Sequence, residues 1–395
     1  MSRPLTPDEV ERLRRDTPGV ENRIHCNHAG ASLPPNPVLE THIAHLRREA
    51  EIGGYEAADE AVDRDRAVYE SIGRLIGATP EEIARAEHAT AAWNAGFWAV
   101  PMRAGQRILT AEAEYGANAV AFLRARERRG MVIDVVPCDR SGQLDIAELE
   151  RRLDDDVALV AITHVPTNGG LVNPVAEIGA LTSAAGVPYL VDACQSIGQL
   201  AIEVDDIGCD LLSATGRKYL RGPRGTGFLY ARSTVVNRLK PDHPDHHGAA
   251  WDDPDGYRLH PGARRFEYWE YSHAGWLALG RAVDYATAIG LDRIEATVDL
   301  RAERLRGLLD DKGFAVFDLG ARRCGIVTTA IPGRDPVAVR DALRARSINT
   351  SVTEPDGTRW DFTRRGLPAM LRISVHYLTT DDELDAVVAA LEDQR

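Results

Sequence analysis

The sequence predicts an α/β protein with a large domain, built on a mostly parallel sheet flanked by helices, and a smaller C-terminal α+β domain. Three observations lead there. From about residue 65 short apolar runs alternate with amphipathic segments, the pattern of βα units. Several of those runs are apolar at consecutive positions, as strands covered on both faces must be. After about residue 283 this alternation gives way to long helices and a few isolated strands.

RILT at 107–110, MVIDVV at 131–136, VALVAI at 157–162, PYLVD at 188–192, LLSA at 211–214 and GFLY at 227–230 read as the strands of the large sheet. Between them Ala117–Arg129, Ile146–Leu153 and Val175–Ala185 carry helical spacing, and Gly130 and Gly186 stand where two of these helices should stop. The stretch 241–262 is rich in Pro, Gly and Asp and has no period, so it reads as a long loop, a kind of segment that is often functional. Helices at Trp276–Ala288 and Leu291–Lys312 then lead to a strand at 325–331, a helix at Pro336–Ala345, a strand at Ile348–Val352, LRISV at 371–375 and a last helix from Asp381. The expected division is an N-terminal segment, 1–20, packing on the small domain, a large domain over 21–282 and the small domain over 283–395.

The chain has 395 residues, 44% of them hydrophobic and 27% charged, enough to bury a sizeable core and too many for a single minimal module. Its net charge of −13 argues against nucleic acid or an anionic membrane as partner. Five cysteines, at 26, 138, 194, 209 and 324, form neither a disulfide scaffold nor a metal-ligand pattern. His243, His246 and His247 lack the helical carboxylate–His spacing of a metal site and read as part of a solvated loop, so no metal is expected. No signal-peptide-like stretch opens the sequence, and the low-charge run Ala89–Met102 is shorter than the ~18 residues of a spanning helix. A cytoplasmic protein is expected.

The chemistry concentrates in Tyr189–Tyr230, YLVDACQSIGQLAIEVDDIGCDLLSATGRKYLRGPRGTGFLY. One apolar strand ends in Asp192; the next leads through Ser213 and Thr215 to Lys218, and a Gly-rich turn follows. Taken singly, Asp192 reads as a helix cap and Lys218 as a solvated amine. Together, at the carboxyl ends of neighbouring strands, they can meet across one ligand. Pyridoxal phosphate needs this pair, a lysine for its Schiff base and a carboxylate to keep its ring nitrogen protonated.

With strand–DACQ, SATGRK and GPRGTGFLY in place, the chain resembles the class V aminotransferase family of fold-type I pyridoxal-phosphate enzymes, from NHAG at 27–30 to the C-terminal LRISVHYLTTDDELDAVVAAL. That family holds cysteine desulfurases, cystine and other cysteine C–S lyases and isopenicillin N epimerase-like proteins. The resemblance implies that Asp192 holds the pyridine nitrogen, Gln195 touches the phenolic oxygen and Lys218 carries the cofactor. It places Thr215, Thr90 and the neighbouring Ala91 around the phosphate, at a helix start where free N–H groups favour an anion. Tyr115 in EAEYGAN should stack on the ring. Asn168 in THVPTNGGLVNP, or Thr167 beside it, should face the cofactor's oxygen. Arg372 should grip the substrate carboxylate with its planar fork of donors. Asn27, Gly30 and Tyr55 are expected to touch substrate, and Trp251 and Tyr257 are further candidates for the pocket wall. Ser272 matches a hydroxyl that reaches the phosphate of a second subunit, which implies a homodimer with composite sites.

Two positions depart from the family pattern. Arg217 stands where the residue before the lysine is usually His. Desulfurases that pass sulfur along a persulfide carry a cysteine in the loop before the carboxylate-binding arginine, and Thr350–Leu371 contains none. EAEIGGYEAADEA at 49–61 is similar to the N-terminal region of hercynylcysteine sulfoxide lyases. The expected function is therefore β-elimination from a cysteine S-conjugate, giving pyruvate, ammonia and a thiol. The alternatives are a class V aminotransferase acting on an α-keto acid acceptor, and an epimerase-like or non-enzymatic cofactor-binding protein.

Overall fold

The computed structural model describes residues 2–395. Seven strands form the central sheet in the spatial order Ile83–Ala86, Gly227–Ala231, Leu211–Thr215, Tyr189–Asp192, Val157–Thr163, Arg107–Ala111 and Val132–Val136. Gly227–Ala231 runs antiparallel to both neighbours, and the remaining pairings are parallel. The six runs read as strands in the sequence are all here, their ends displaced by at most one residue. Every residue of Val157–Thr163 is buried, the signature of a strand covered on both faces. Gly130 and Gly186 terminate their helices with φ of 66°, a left-handed conformation that glycine adopts without a Cβ clash.

The strand Arg107–Ala111 has a neighbour on each side, Val132–Val136 and Val157–Thr163, so the chain reverses its direction of travel across the sheet there. Segments leaving the carboxyl ends of these strands diverge and open a crevice, the place where open α/β sheets bind ligands. Helices Asn36–Ile52 and Val62–Ile76 pack with His273–Ile289, tightly enough that a Cβ on Gly280 would lie 2.7 Å from Val68. The expected boundary at 282/283 falls inside His273–Ile289, because one continuous helix carries the chain out of the large sheet's layer.

The C-terminal part holds an antiparallel sheet in the order Ala315–Val316, Ile326–Ala330, Met370–Ser374, Ser351–Thr353, packed with helices Leu291–Asp311, Pro336–Ala345 and Asp381–Glu392. The single strand expected over Ile348–Val352 is divided in two. Ile348–Asn349 pairs with Ile24–His25 of the N-terminal segment, and Ser351–Thr353 joins the small sheet. The N-terminal helix Pro7–Arg15 is fastened to the same region by an Arg14–Glu383 ion pair at 3.0 Å. The expected loop at 241–262 contains an antiparallel hairpin, Ala249–Asp253 with Gly256–Leu259. Its composition hid it, since its strands are short and mostly exposed, with only Ala249 buried.

One buried ionic cluster fixes the start of the sheet relative to the segment that follows this hairpin. Glu267, fully buried, accepts from the Tyr69 hydroxyl and the Arg85 amide, both at 2.9 Å, and pairs with the Arg85 guanidinium at 3.0 Å. His247, expected in a solvated loop, joins this cluster through Arg85 at 3.0 Å and Glu267 at 3.3 Å. Glu267→Ala would leave the Arg85 guanidinium buried without its carboxylate. Urea unfolding should then show a loss of about 3–5 kcal/mol, with a smaller loss for Glu267→Gln.

Candidate active site

Asp192 ends its strand with both carboxylate oxygens occupied. Oδ1 accepts from the Cys194 amide and Oδ2 from Asn118 Nδ2, each at 2.9 Å. Register pairs Asp192 with Ser213 on the next strand, which places the chain leaving that strand, and with it Lys218, beside the carboxylate. Lys218 is buried and shares a cavity wall with Cys194. Burial lowers the Lys218 pKa, and the Arg217 charge lowers it further, against the opposing pull of Cys194 and Asp192. Burial raises Asp192, restrained by its bonds from Asn118 and Cys194 and by the Lys218 charge. The two groups share a cavity of about 260 Å³ whose walls include Thr90, Tyr115, Cys194 and Thr215.

Behind Asp192 lies a group that sequence reasoning missed. Asn118 donates from one Nδ2 to both Asp192 and Glu114, the latter also at 2.9 Å. Glu114 further accepts from the Tyr115 amide at 2.8 Å, from Thr110 at 3.0 Å and from the Thr163 hydroxyl. Burial raises the Glu114 pKa to about 7, although Thr163 and Asn118 donate to it, and the Asp192 charge adds to the rise. The signal lay in EAEYGAN itself, where Glu114 just precedes the helix that Tyr115 caps and Asn118 lies in its first turn.

A second group of residues gathers around Arg372 of the small sheet. Arg372 is buried, and its guanidinium donates to the Thr167 carbonyl at 3.0 Å and hydroxyl at 2.7 Å. Among the described residues its Nε has no partner, and no carboxylate is among the groups acting on it. Gln195 Nε2 donates to the Ala29 carbonyl at 3.1 Å and to Thr167 at 3.2 Å, leaving Oε1 unpartnered, as is Oδ1 of Asn27. Asn27 is bridged to Ser374 of the Arg372 strand, and Arg217 NH1 donates to the Gly30 carbonyl. Arg217 thus braces the NHAG segment in the position of the usual imidazole. Buried polar atoms without partners, next to an uncompensated guanidinium, mark a place for a carboxylate-bearing ligand.

Thr167, and not Asn168, is the residue of its loop that faces Gln195 and Arg372; Asn168 turns away to the Thr358 hydroxyl at 2.6 Å. At the phosphate end Thr90 lines the cavity, while the Ala91 amide is capped by His88 Nδ1 at 3.0 Å and its side faces an adjoining cavity. Thr215 Oγ1 donates to the Thr226 carbonyl at 3.2 Å. Ser272 caps helix His273–Ile289 through the Gly275 amide and lines the adjoining cavity, which meets that of Lys218 at Gly225. Tyr55, Trp251 and Tyr257 are exposed at 72, 77 and 61% and reach no wall of their own chain's site.

Pyridoxal phosphate fits this donor set. A buried amine sits beside a buried carboxylate, an aromatic wall stands over them, and helix Ala89–Ala99 begins at the cavity with Thr90. The Aminotransferase class-V family model matches residues 24–387. The chain is a member of the class V aminotransferase family. Pyridoxal phosphate is the cofactor of this class V protein. Among similar proteins is a probable cysteine desulfurase of Methanothermobacter thermautotrophicus, 28% identical, with 97% of this chain and 98% of that protein covered. A cysteine desulfurase of Dickeya dadantii is 26% identical over 99% of this chain and 98% of its own. Among solved structures, the apo cysteine desulfurase of Thermococcus onnurineus NA1 superposes with a TM-score of 0.90 at 24% identity, covering 100% of this chain and 99% of that one. The cystine C–S lyase C-DES, in complex with its product cysteine persulfide, gives 0.86 at 21% identity, covering 95% and 99%.

Borohydride reduction of the loaded class V protein followed by peptide mass spectrometry should find the cofactor on Lys218. Label on another lysine would remove its assigned role. Glu114 gives a test by pH. Its pKa is higher folded, about 7, than the ordinary 4.5, so its contribution to stability is complete below about pH 4.5 and is lost as pH rises through 7. Glu114→Gln stays neutral, so its stability relative to wild type should improve steadily across that window, as read by urea unfolding at each pH.

Proposed function

We propose that this class V protein is a β-eliminating C–S lyase acting on a cysteine S-conjugate. The overall reaction takes the conjugate and one water to a thiol, pyruvate and ammonium. The observation that carries the reading is the loop before Arg372. Asp356–Gly357 closes against Gly116 beside the stacking tyrosine, and Thr358 is tied to Asn168, so this loop reaches the mouth of the site and has no thiol to offer a departing sulfur. Cys26, Cys209 and Cys324 are fully buried. Burial raises the Cys194 thiol, which disfavours the thiolate that sulfur transfer needs.

Bound pyridoxal phosphate supplies the electron sink that lets an α-proton leave and a β-substituent depart. The Arg372 guanidinium binds the α-carboxylate and fixes the amino acid's orientation. Lys218 Nζ, once free, takes the proton from Cα, helped by burial that holds its basicity below that of an exposed lysine. Asp192, oriented by Asn118 and the Cys194 amide, holds a proton on the ring nitrogen.

A homodimer with composite sites belongs to the same reading. Ser272 lines a cavity adjoining the phosphate end, and Tyr55, Trp251 and Tyr257 are aromatic side chains exposed at some distance from their own site. A second copy would bring such groups to a neighbouring site. Light scattering should therefore give about twice the 43.2 kDa chain mass, and a fully active monomer would contradict the dimer.

Replacing all five cysteines by Ala or Ser should leave pyruvate release from a cysteine S-conjugate within about threefold of wild type. Loss of activity with folding and cofactor absorbance intact would return the protein to persulfide chemistry. Amino transfer to an α-keto acid without thiol release would make it an aminotransferase.

A further inference from the structure

The cofactor cavity does not end at Tyr115. A second, open groove of about 660 Å³ shares Thr90 and Tyr115 with it and runs outward along the exposed face of helix Gly116–Arg129 to the main chain at Asp356–Gly357. Ala117 and Val120 give it an aliphatic floor, and Val120 is 65% exposed, an unusual position for a large apolar side chain on a helix that has a buried face to offer it. Arg124, one turn beyond Val120 on the same helix, adds a charged side chain to the wall, and Asp356–Gly357 lies over Gly116 near the threshold. The inner cavity, at about 260 Å³, must already hold the cofactor and the amino-acid head group.

Resting on the lyase reading, we infer that this groove is a subsite for the substituent on the substrate's sulfur, and that the substrate class is cysteine carrying a bulky S-linked group rather than free cysteine. With the α-carboxylate on Arg372 and Cα near Lys218, the sulfur substituent needs an exit from the cavity. Tyr115 and Thr90 form the threshold of the groove, so a substituent passing them lies on Ala117 and Val120. The apolar floor gains from covering a hydrophobic body, and Arg124, one turn beyond Val120, accommodates a polar terminus in contact with water.

The test compares S-benzyl-L-cysteine with S-methyl-L-cysteine on the cofactor-loaded protein. Binding is followed through the cofactor's absorbance change and elimination through pyruvate. Val120→Trp fills the groove from an exposed helical position, so it should fold normally. It should weaken S-benzyl-L-cysteine binding at least tenfold and leave S-methyl-L-cysteine within twofold. Val120→Ala, which removes floor without blocking, should weaken only the benzyl conjugate, by about threefold. Equal losses for both ligands, or no loss for either, would overturn the subsite. Binding reads the groove whether or not elimination follows, and absence of pyruvate from both conjugates with wild type would overturn the lyase reading alone.

Discussion

An amine and a carboxylate buried in one cavity form the constraint around which this chain is built. Neither Lys218 nor Asp192 could be left there alone, since an isolated buried charge costs far more than a typical packing contact returns. The parallel sheet resolves this by ending neighbouring strands at one edge. Thr163, Asp192 and Ser213 are in register across three strands, so the loops that leave them converge. Asn118 and the Cys194 amide then saturate the carboxylate, and Glu114 holds Asn118. Each of these partners sits on an element whose position the sheet register already determines.

The substrate side is held differently, by segments distant in sequence. Arg372 lies on the small sheet, paired with Thr328 on one neighbour and Ser351 on the other. The NHAG segment bridges this sheet to the Lys218 region: Asn27 joins Ser374, and the Gly30 carbonyl receives Arg217. Beneath it, His28 stacks on His376 at 4.5 Å between ring centroids and meets His25 edge-on at 4.7 Å. Burial and the nearby Arg221 charge lower the pKa of His28 and His376 well below the ordinary value, so this contact is kept as a neutral aromatic stack. The surroundings of Arg372 therefore tie residues 24–30 to both sheets at once.

The strands of the large sheet were legible because a short run of consecutive apolar residues between turn signals fits little besides a strand covered on both faces. That Asp192 and Lys218 meet in one cavity was legible because both stand at the carboxyl ends of neighbouring strands. Other parts were not. Glu114 and Asn118 belong to a hydrogen-bond network whose members look like ordinary helix-start residues in a linear reading. The choice between Thr167 and Asn168 depends on the direction of a loop that no periodicity fixes. The hairpin at 249–259 was masked by Pro, Gly and Asp around it, and the bridging role of Ile24–His25 depends on a partner more than 320 residues away. Motif spacing reveals groups that do chemistry; the residues that orient them are recovered only when register brings distant segments together.

Charge shows the same division between what composition records and what geometry arranges. The chain carries a net charge of −13, yet Arg217, Lys218 and Arg224 line the inner cavity, with Asp192 the one carboxylate among the described residues of its wall. A cavity of this kind within an acidic protein attracts anions locally while the surface repels polyanions. Pyridoxal phosphate and an amino acid are both anionic at the ends that must be gripped, so the cationic excess meets the phosphate and the carboxylate. Asp192 stands as the negative group facing Lys218 in this cationic setting. Its burial beside Lys218 is thus the origin of the site's selectivity for charge as well as of its reactivity, and the orienting residues behind it maintain both.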